Sequence, residues 1–272
     1  MKFIKTTEQP SHYNHLEKMS VGKIISSINK EDKTIAGAVK KALPQIEKLI
    51  KAVYDKMLAG GKLFYIGAGT SGRLGILDAS ECAPTYGVSE DLVQGIIAGG
   101  NAAITASVEN SEDDEIQGWK DLKARGVSKK DFVIGIAASG TTPYVIGALK
   151  LCKKNKIKTG CITCNAGSPL DAIADYTVEI ITGPEFVTGS TRMKSGTAQK
   201  MVLNIISTTA MIKLGHVQGN RMVDMQMKNI KLKERGALML MEKSGITDIK
   251  KAKALIKKYG TVKKVLAAIQ KT

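Results

Sequence analysis

Two stretches of small and hydroxylated residues lie where an α/β fold would hold a ligand. Gly67-Ala68-Gly69-Thr70-Ser71-Gly72 follows the apolar run Lys62–Ile66, and Ala138-Ser139-Gly140-Thr141-Thr142-Pro143 follows Asp131–Ala137. Glycines let successive backbone N–H groups converge, serine and threonine add side-chain donors, and a helix starting there points its positive end at the same spot. Pro143 suits a first-turn position of the second helix. Either stretch alone reads as an ordinary helix cap. Phe64–Gly72 and Val133–Gly140 echo each other, however, each running strand, small residues, Ser-Gly, helix. Together they read as two walls of one phosphate site, with Gly69, Thr70, Ser71, Ser139, Gly140 and Thr141 as its donors. The first stretch also fits GxGxxG. A nicotinamide site should then place an acid at the end of the next strand, and that strand ends Ala98-Gly99-Gly100-Asn101. A P-loop would need GK[ST], which does not follow.

A third polar cluster, Thr188–Thr197, precedes a long helical pattern and contains Ser190, Thr191, Arg192 and Lys194. Arg192 could clamp a carboxylate through two parallel hydrogen bonds; a capped loop with two solvated cations is the alternative. Carboxylates that could move protons come from two places. Glu81 ends the helix begun at the first loop, just before Ala83-Pro84. There the helix dipole disfavours negative charge and favours the protonated form that a general acid needs. The second place is the acidic run Glu109–Glu115, whose members read mostly as first-turn or solvated residues, with one free to face the pocket.

These groups need a scaffold. Five runs, Lys62–Ile66, Leu92–Ala98, Asp131–Ala137, Lys158–Cys164 and Tyr176–Thr182, read as strands, and most are continuously apolar, as in parallel strands covered on both faces. Helices fill Leu74–Ser80, Ser111–Ala124, Pro143–Asn155, Leu170–Asp175 and Gly196–Leu214. Strand–helix alternation predicts an α/β fold, a doubly wound five-stranded parallel sheet whose ligands bind beyond the carboxyl ends of the strands. Ahead of it, residues 1–60 form an arm and helices. Ile35, Val39, Ala42, Ile46, Leu49, Ile50 and Val53 recur at helical spacing, with Pro44 as a kink point. Residues 61–220 make the domain that carries both phosphate loops. Residues 221–272 make a small helical appendage: Asn229–Lys243, then Thr247–Tyr259 and Thr261–Gln270, each of the last two opened by a capping Thr, with Gly260 as a stop. This three-helix, UBA-like region reads as a packing or dimerisation unit, and the Met-rich stretch Met222–Met241 as core and interface.

The composition narrows the classes. With 272 residues and 43% hydrophobic content the chain can bury a large core, and no apolar run reaches membrane-spanning length. The polar start, Met1–Pro10, predicts a cytoplasmic protein. Net charge is +16, but aromatics are 4% and the first sixty residues show no helix-turn-helix pair, so a basic surface, not a nucleic-acid partner, is expected. Cys161 and Cys164 form a CxxC. No second pair completes a metal site, and within a strand an offset of three sends the two thiols to opposite faces. Reduced thiols are expected at Cys82, Cys152, Cys161 and Cys164. His12, His15 and His216 read as structural or exposed, and Trp119 as a packing residue.

The string Ile66–Cys82 (IGAGTSGRLGILDASEC) resembles the signature of the N-acetylmuramic acid 6-phosphate etherase family. So do Gly135–Tyr144, Val187–Lys200, Asn220–Asp224 and Asn29–Lys33, so that the likeness runs along essentially the whole chain. It implies the sugar isomerase (SIS) fold, and cleavage of the D-lactyl ether of N-acetylmuramic acid 6-phosphate to N-acetylglucosamine 6-phosphate and D-lactate. It implies no metal or organic cofactor, and a homodimer with sites near the interface. The family's catalytic carboxylates correspond to Glu81 and Glu112; Glu81 is assigned as acid for the leaving group and Glu112 as base at C2, an order the sequence leaves open. Ser190, Thr191, Arg192 and Lys194 become candidates for the sugar or the lactyl carboxylate. Ala83 departs from the family, which usually has proline there, and the tail is shorter than in some members. A non-catalytic sugar-phosphate regulator, such as the longer regulatory protein of glucokinase, and an aldose–ketose isomerase of the same fold are the alternatives.

Overall fold

The computed structural model describes residues 3–224 and 230–269. All five expected strands are present, the first shifted by one residue and the other four one to three residues shorter than the apolar runs: β1 (Leu63–Gly67), β2 (Val93–Ile97), β3 (Phe132–Ile136), β4 (Lys158–Thr163) and β5 (Tyr176–Glu179). They form one parallel sheet in the order β2-β1-β3-β4-β5. The chain reverses its winding direction between β1 and β3, and the two hydroxyl-rich loops leave the carboxyl ends of those two strands. Such a switch point opens a crevice.

Side chains alternate across the sheet, and both faces are covered. On one face Leu63, Tyr65, Phe132, Ile134 and Ile162 pack under α2 (Ile35–Leu58), α3 (Gly69–Tyr86) and α7 (Lys194–Lys213). On the other, Phe64, Ile66, Val133 and Cys161 meet α5 (Gln117–Ala124) and α6 (Pro143–Lys154). A one-turn helix, α4 (Ala102–Thr105), follows β2, and α1 (Val21–Asp32) precedes α2. The predicted apolar stripe of α2 is the buried one, extended by Met57. Pro44 lies inside α2 and does not end it. A helix-interior proline costs about 3 kcal/mol. Burying Ile35, Val39, Ile46, Leu49, Ile50, Val53 and Met57 offsets that, at roughly 1.5–3 kcal/mol for each large side chain. Pro44 and Lys40 are also exposed, so water can take the carbonyl that loses its bond.

Three helix expectations need correction. The segment Ser111–Ala124 is helical only from Gln117, because Asp114 turns its carboxylate onto the Ile116 and Gln117 amides and caps a later start. Residues Leu170–Asp175 form turns, not a helix: Asp171 binds the Ser168 amide and Asp175 the Thr159 amide, fixing the loop to β4. The helix containing Glu81 starts five residues earlier and ends six later than expected, since Pro84 is accommodated in its interior.

Beyond the sheet, β6 (Val217–Gln218) and β7 (Arg221–Met222) make a short hairpin about Gly219 that the sequence reading lacked. The helices α8 (Ile230–Ser244), α9 (Ile249–Tyr259) and α10 (Val262–Ile269) share their own core of Ala237, Leu240, Ala252, Ile256, Val262 and Val265. Asp248, not Thr247, caps α9, while Thr261 accepts the Lys264 amide and Gly260 ends α9 as expected. Residues 1–2, 225–229 and 270–272 lie outside the described residues, and with them Asn229, Gln270, and Met225 and Met227 of the Met-rich stretch.

Candidate active site

α3 begins at Gly69, so the amides of Thr70 and Ser71 fall in its first turn and have no intrahelical acceptor; the Gly72 amide is the first to close back, onto Ala68. Close approach of strand and helix needs a bare Cα at Gly72: a Cβ there would sit 2.6 Å from the Ile97 side chain and 2.8 Å from the Gly67 carbonyl. In the second loop Gly140 has φ +70 and lies against Ser168, so any side chain would be both strained and blocked. Ser139 Oγ accepts from the Thr141 amide at 3.2 Å and from the Thr141 hydroxyl at 3.1 Å, leaving its own proton to donate outward.

The two loops face one cavity of about 430 Å³. Gly69, Thr70, Ser71, Ser139, Thr141 and Thr142 line it, and Thr191 of the third cluster joins them. Gly140 is buried beneath, shaping the loop. Ser71 contributes differently from the sequence expectation. It is buried, and its hydroxyl donates to Gln199 Oε1 on α7 at 2.9 Å, which leaves its first-turn backbone amide as the donor not taken up inside the helix.

Glu112 is at this cavity, exposed, with Asp113 beside it. Its segment is anchored by backbone: the Glu112 carbonyl accepts the Tyr144 amide at 2.9 Å, one residue into α6. Arg73 ties the preceding segment to α3 by donating to the Ile104 and Ala106 carbonyls at 3.0 and 2.8 Å. The two expected carboxylates do not meet within one chain. Glu81 lies twelve residues along α3 from Gly69, about 18 Å of helix. It borders a separate cavity of about 300 Å³ with Asp78, Lys200 and Asn204. It is exposed and more than a turn before the end of α3, so the end-of-helix argument for its protonation does not apply.

In the third cluster Ser190 is half-buried and Arg192 exposed, and neither borders the cavity. Lys194 points elsewhere. Its side chain is 3% exposed and its ammonium lies 2.7 Å from Glu31 Oε2. Burial works to raise the Glu31 carboxyl, but the hydrogen bond and charge of Lys194 outweigh it and hold the group below its usual range. Glu185, 1% exposed, accepts the Lys194 and Ser195 amides and the Ser195 hydroxyl, capping α7. Glu31→Gln strips a buried ammonium of its counter-charge and is expected to destabilise the fold by about 3–5 kcal/mol, read from denaturant midpoints at pH 7. The difference from the parent should shrink as pH falls through the carboxylate range, because the depressed Glu31 contributes only while ionised.

The four cysteines are free and buried. Burial raises all four thiols, Cys82, Cys152 and Cys164 to about 12, and Cys161 and Cys164 belong to different surroundings, Asp171 and the Ser195 carbonyl. A larger cavity, about 730 Å³, opens between the hairpin and α8, where Asn220, Met222, Arg235, Leu238 and an Arg221–Glu242 ion pair line it and none of the residues expected to form the site borders it. Sequence reasoning missed Asn165, just past β4, which donates to the Ala138 carbonyl of the second loop, and it missed Lys5 and Glu8 of the N-terminal arm, both of which border the loop cavity. An Asn at the carboxyl end of a parallel strand was the available signal for the first; nothing local marks the other two.

Comparison with known proteins bears on this arrangement. Residues 44–153 match the glucokinase regulatory protein N-terminal SIS domain, and residues 115–208 the SIS domain. The N-acetylmuramic acid 6-phosphate etherase of Christiangramia forsetii is 58% identical over 262 residues, 96% of this chain and 95% of that one. The enzyme of that name from Bacteroides fragilis strain YCH46 is 56% identical over 266 residues, 98% and 94% of the two chains. The solved phosphoheptose isomerase of Neisseria gonorrhoeae covers 70% of this chain and 98% of its own with a TM-score of 0.53; at 16% identity it bears on the fold alone. A parallel sheet with two hydroxyl-lined turns at its switch point, and relatives this similar from end to end, lead to one assignment: the chain belongs to the N-acetylmuramic acid 6-phosphate etherase family, built on the SIS fold.

Proposed function

We propose that the protein cleaves the D-lactyl ether of N-acetylmuramic acid 6-phosphate, giving N-acetylglucosamine 6-phosphate and D-lactate, in cytoplasmic salvage of peptidoglycan sugars. The observation that carries the reading is the single cavity shared by the two phosphate loops and Glu112. Thr70 and the first-turn amides of α3, with Ser139 and Thr141, hold the phosphate. In the open-chain aldehyde the C2 proton is acidic. Glu112 removes it, the C3–oxygen bond breaks as the C2–C3 double bond forms, and a second carboxylic acid protonates the departing lactate oxygen. Water then adds at C3 of the unsaturated aldehyde and a proton returns to C2. The net change consumes one water, and neither step is a redox change.

The second acid is Glu81, and its place along α3 puts it out of reach of Glu112 in the same subunit. The protein therefore acts as a homodimer in which α3 and α7 meet their counterparts, so that Glu81 of the partner subunit completes the site. Leu77 on α3, one turn before Glu81, and Ile212 on α7 are half-exposed and apolar, as such an interface requires. Thr191, the residue of the third cluster that borders the cavity, serves the sugar or the lactyl carboxylate, and residues 221–272 act as a separate packing unit.

Turnover in heavy-oxygen water tests the chemistry. Elimination followed by hydration puts the label on C3 of the sugar and none in lactate. Label in lactate, or no lactate, rejects it. An isomerase of the same fold would convert a sugar phosphate and release nothing.

A further inference from the structure

The N-terminal arm crosses the carboxyl edge of the sheet and is fastened there by one buried side chain. Asn165, 0% exposed, accepts from the Thr6 hydroxyl at 2.9 Å and the Thr7 amide at 3.1 Å, and donates to Thr7 Oγ1 at 3.0 Å. The same amide nitrogen donates to the Ala138 carbonyl at 3.0 Å and the Ser139 carbonyl at 3.4 Å, in the second phosphate loop. Arm and loop are thus latched through one residue. A second tie follows, from the Ser11 hydroxyl to the Phe186 carbonyl at 2.7 Å and from the Ser11 amide to Thr188 Oγ1 at 2.9 Å. A short turn, Thr6–Glu8, results, and it carries Lys5 and Glu8 to the rim of the loop cavity.

The charges in that cavity make the arm consequential. Glu8, Glu112 and Asp113 border it, and among the described residues that line it Lys5 is the one cation. Lys5 is exposed and makes no ion pair with any described residue. Hydroxyls and amides alone would have to hold a dianion facing three carboxylates. Like charges this close disfavour the anion, and an ammonium on the same rim counters them.

We propose that Lys5 is a substrate-binding residue, its ammonium engaging the phosphate held by the two loops, and that Asn165 is the positioning residue that keeps it there. The inference rests on the reading of this cavity as the sugar-phosphate site. Because lactyl carboxylate and phosphate are both anions, the test separates them, and it uses binding rather than turnover so that it does not depend on the etherase chemistry.

Calorimetry with N-acetylglucosamine 6-phosphate on the full-length protein is the measurement. Lys5→Met should weaken binding about tenfold at low salt, the scale of one charge-assisted hydrogen bond at an exposed site. The residual binding of unphosphorylated N-acetylglucosamine should be unaffected. The paired change Thr6→Val/Thr7→Val loosens the latch from the arm's side and leaves Asn165 bonded to its loop. It should weaken binding in the parent and add nothing in the Lys5→Met background. Unchanged sugar-phosphate affinity in Lys5→Met overturns the proposal. So does a loss confined to inhibition by D-lactate, which would hand the cation to the carboxylate. Additive losses in the triple variant overturn the positioning role. A parent protein that binds N-acetylglucosamine 6-phosphate through Lys5 yet releases no lactate would leave this inference standing and reject the proposed function instead.

Discussion

Glu112→Gln is expected to lower lactate release by about 10²–10⁴-fold, the range for losing one general acid or base, while N-acetylglucosamine 6-phosphate binds at least as tightly as to the parent, since one of the three carboxylates facing the phosphate is gone. The carboxylate lines the loop cavity but has no place in the packing: it is exposed, and the contact that fixes its segment is made by its backbone carbonyl, which glutamine retains. The variant should therefore fold normally. The role at C2 gives a sharper readout than rate alone. In heavy water the parent exchanges the C2 hydrogen of the product for deuterium, and Glu112→Gln should not. Glu81→Gln should also stop lactate release, yet still exchange C2, since its carboxylic acid serves the leaving group. If exchange vanishes in Glu81→Gln and persists in Glu112→Gln, the two roles are reversed.

The sheet was legible because most of its strands are short, nearly unbroken apolar runs, and burial on both faces demands that composition; β5, half-buried at the edge, is the exception. The stripe of α2 was legible for a related reason, since a 3.6-residue period survives even a proline at position 44. Where the reading failed, a polar side chain had been spent on backbone. Asp114, Asp171 and Asp175 each fix nearby amides, and each turned an expected helix segment into turns. Lys194 shows the limit for sites. Its neighbours Thr191 and Ser195 suggested a binding cluster, but the side chain is buried against Glu31, 163 residues away. Asn165 and Thr6 are 159 residues apart. No spacing rule reaches across such separations, so the arm's contribution emerges only once the chain is folded. The distance between Glu81 and the loops, by contrast, was available from helix geometry alone: an unbroken helix from Gly69 to Glu81 already separates them by about 18 Å.

That separation leads to the largest contrast any experiment on this protein should show. Glu81→Gln and Glu112→Gln are each expected to be nearly inactive as homodimers. Unfolded together in equal amounts and refolded, they should recover about one quarter of the parent activity, for a reason of counting in a two-fold dimer. Random pairing makes half of the dimers mixed. In a mixed dimer one site receives both defects and the other receives neither, so half the dimers carry one good site out of two. Recovery of this kind cannot arise if each chain supplies both of its own carboxylates, because every site would then hold one defective residue whatever its partner. Activity that stays at the level of the separate variants, with mixed dimers shown to be present by mass, would mean that Glu81 serves its own chain or does not serve the reaction. Recovery near one quarter would place the acid and the base on different subunits, and would make lactate release dependent on dimerisation at dilutions where Lys5-dependent phosphate binding still persists.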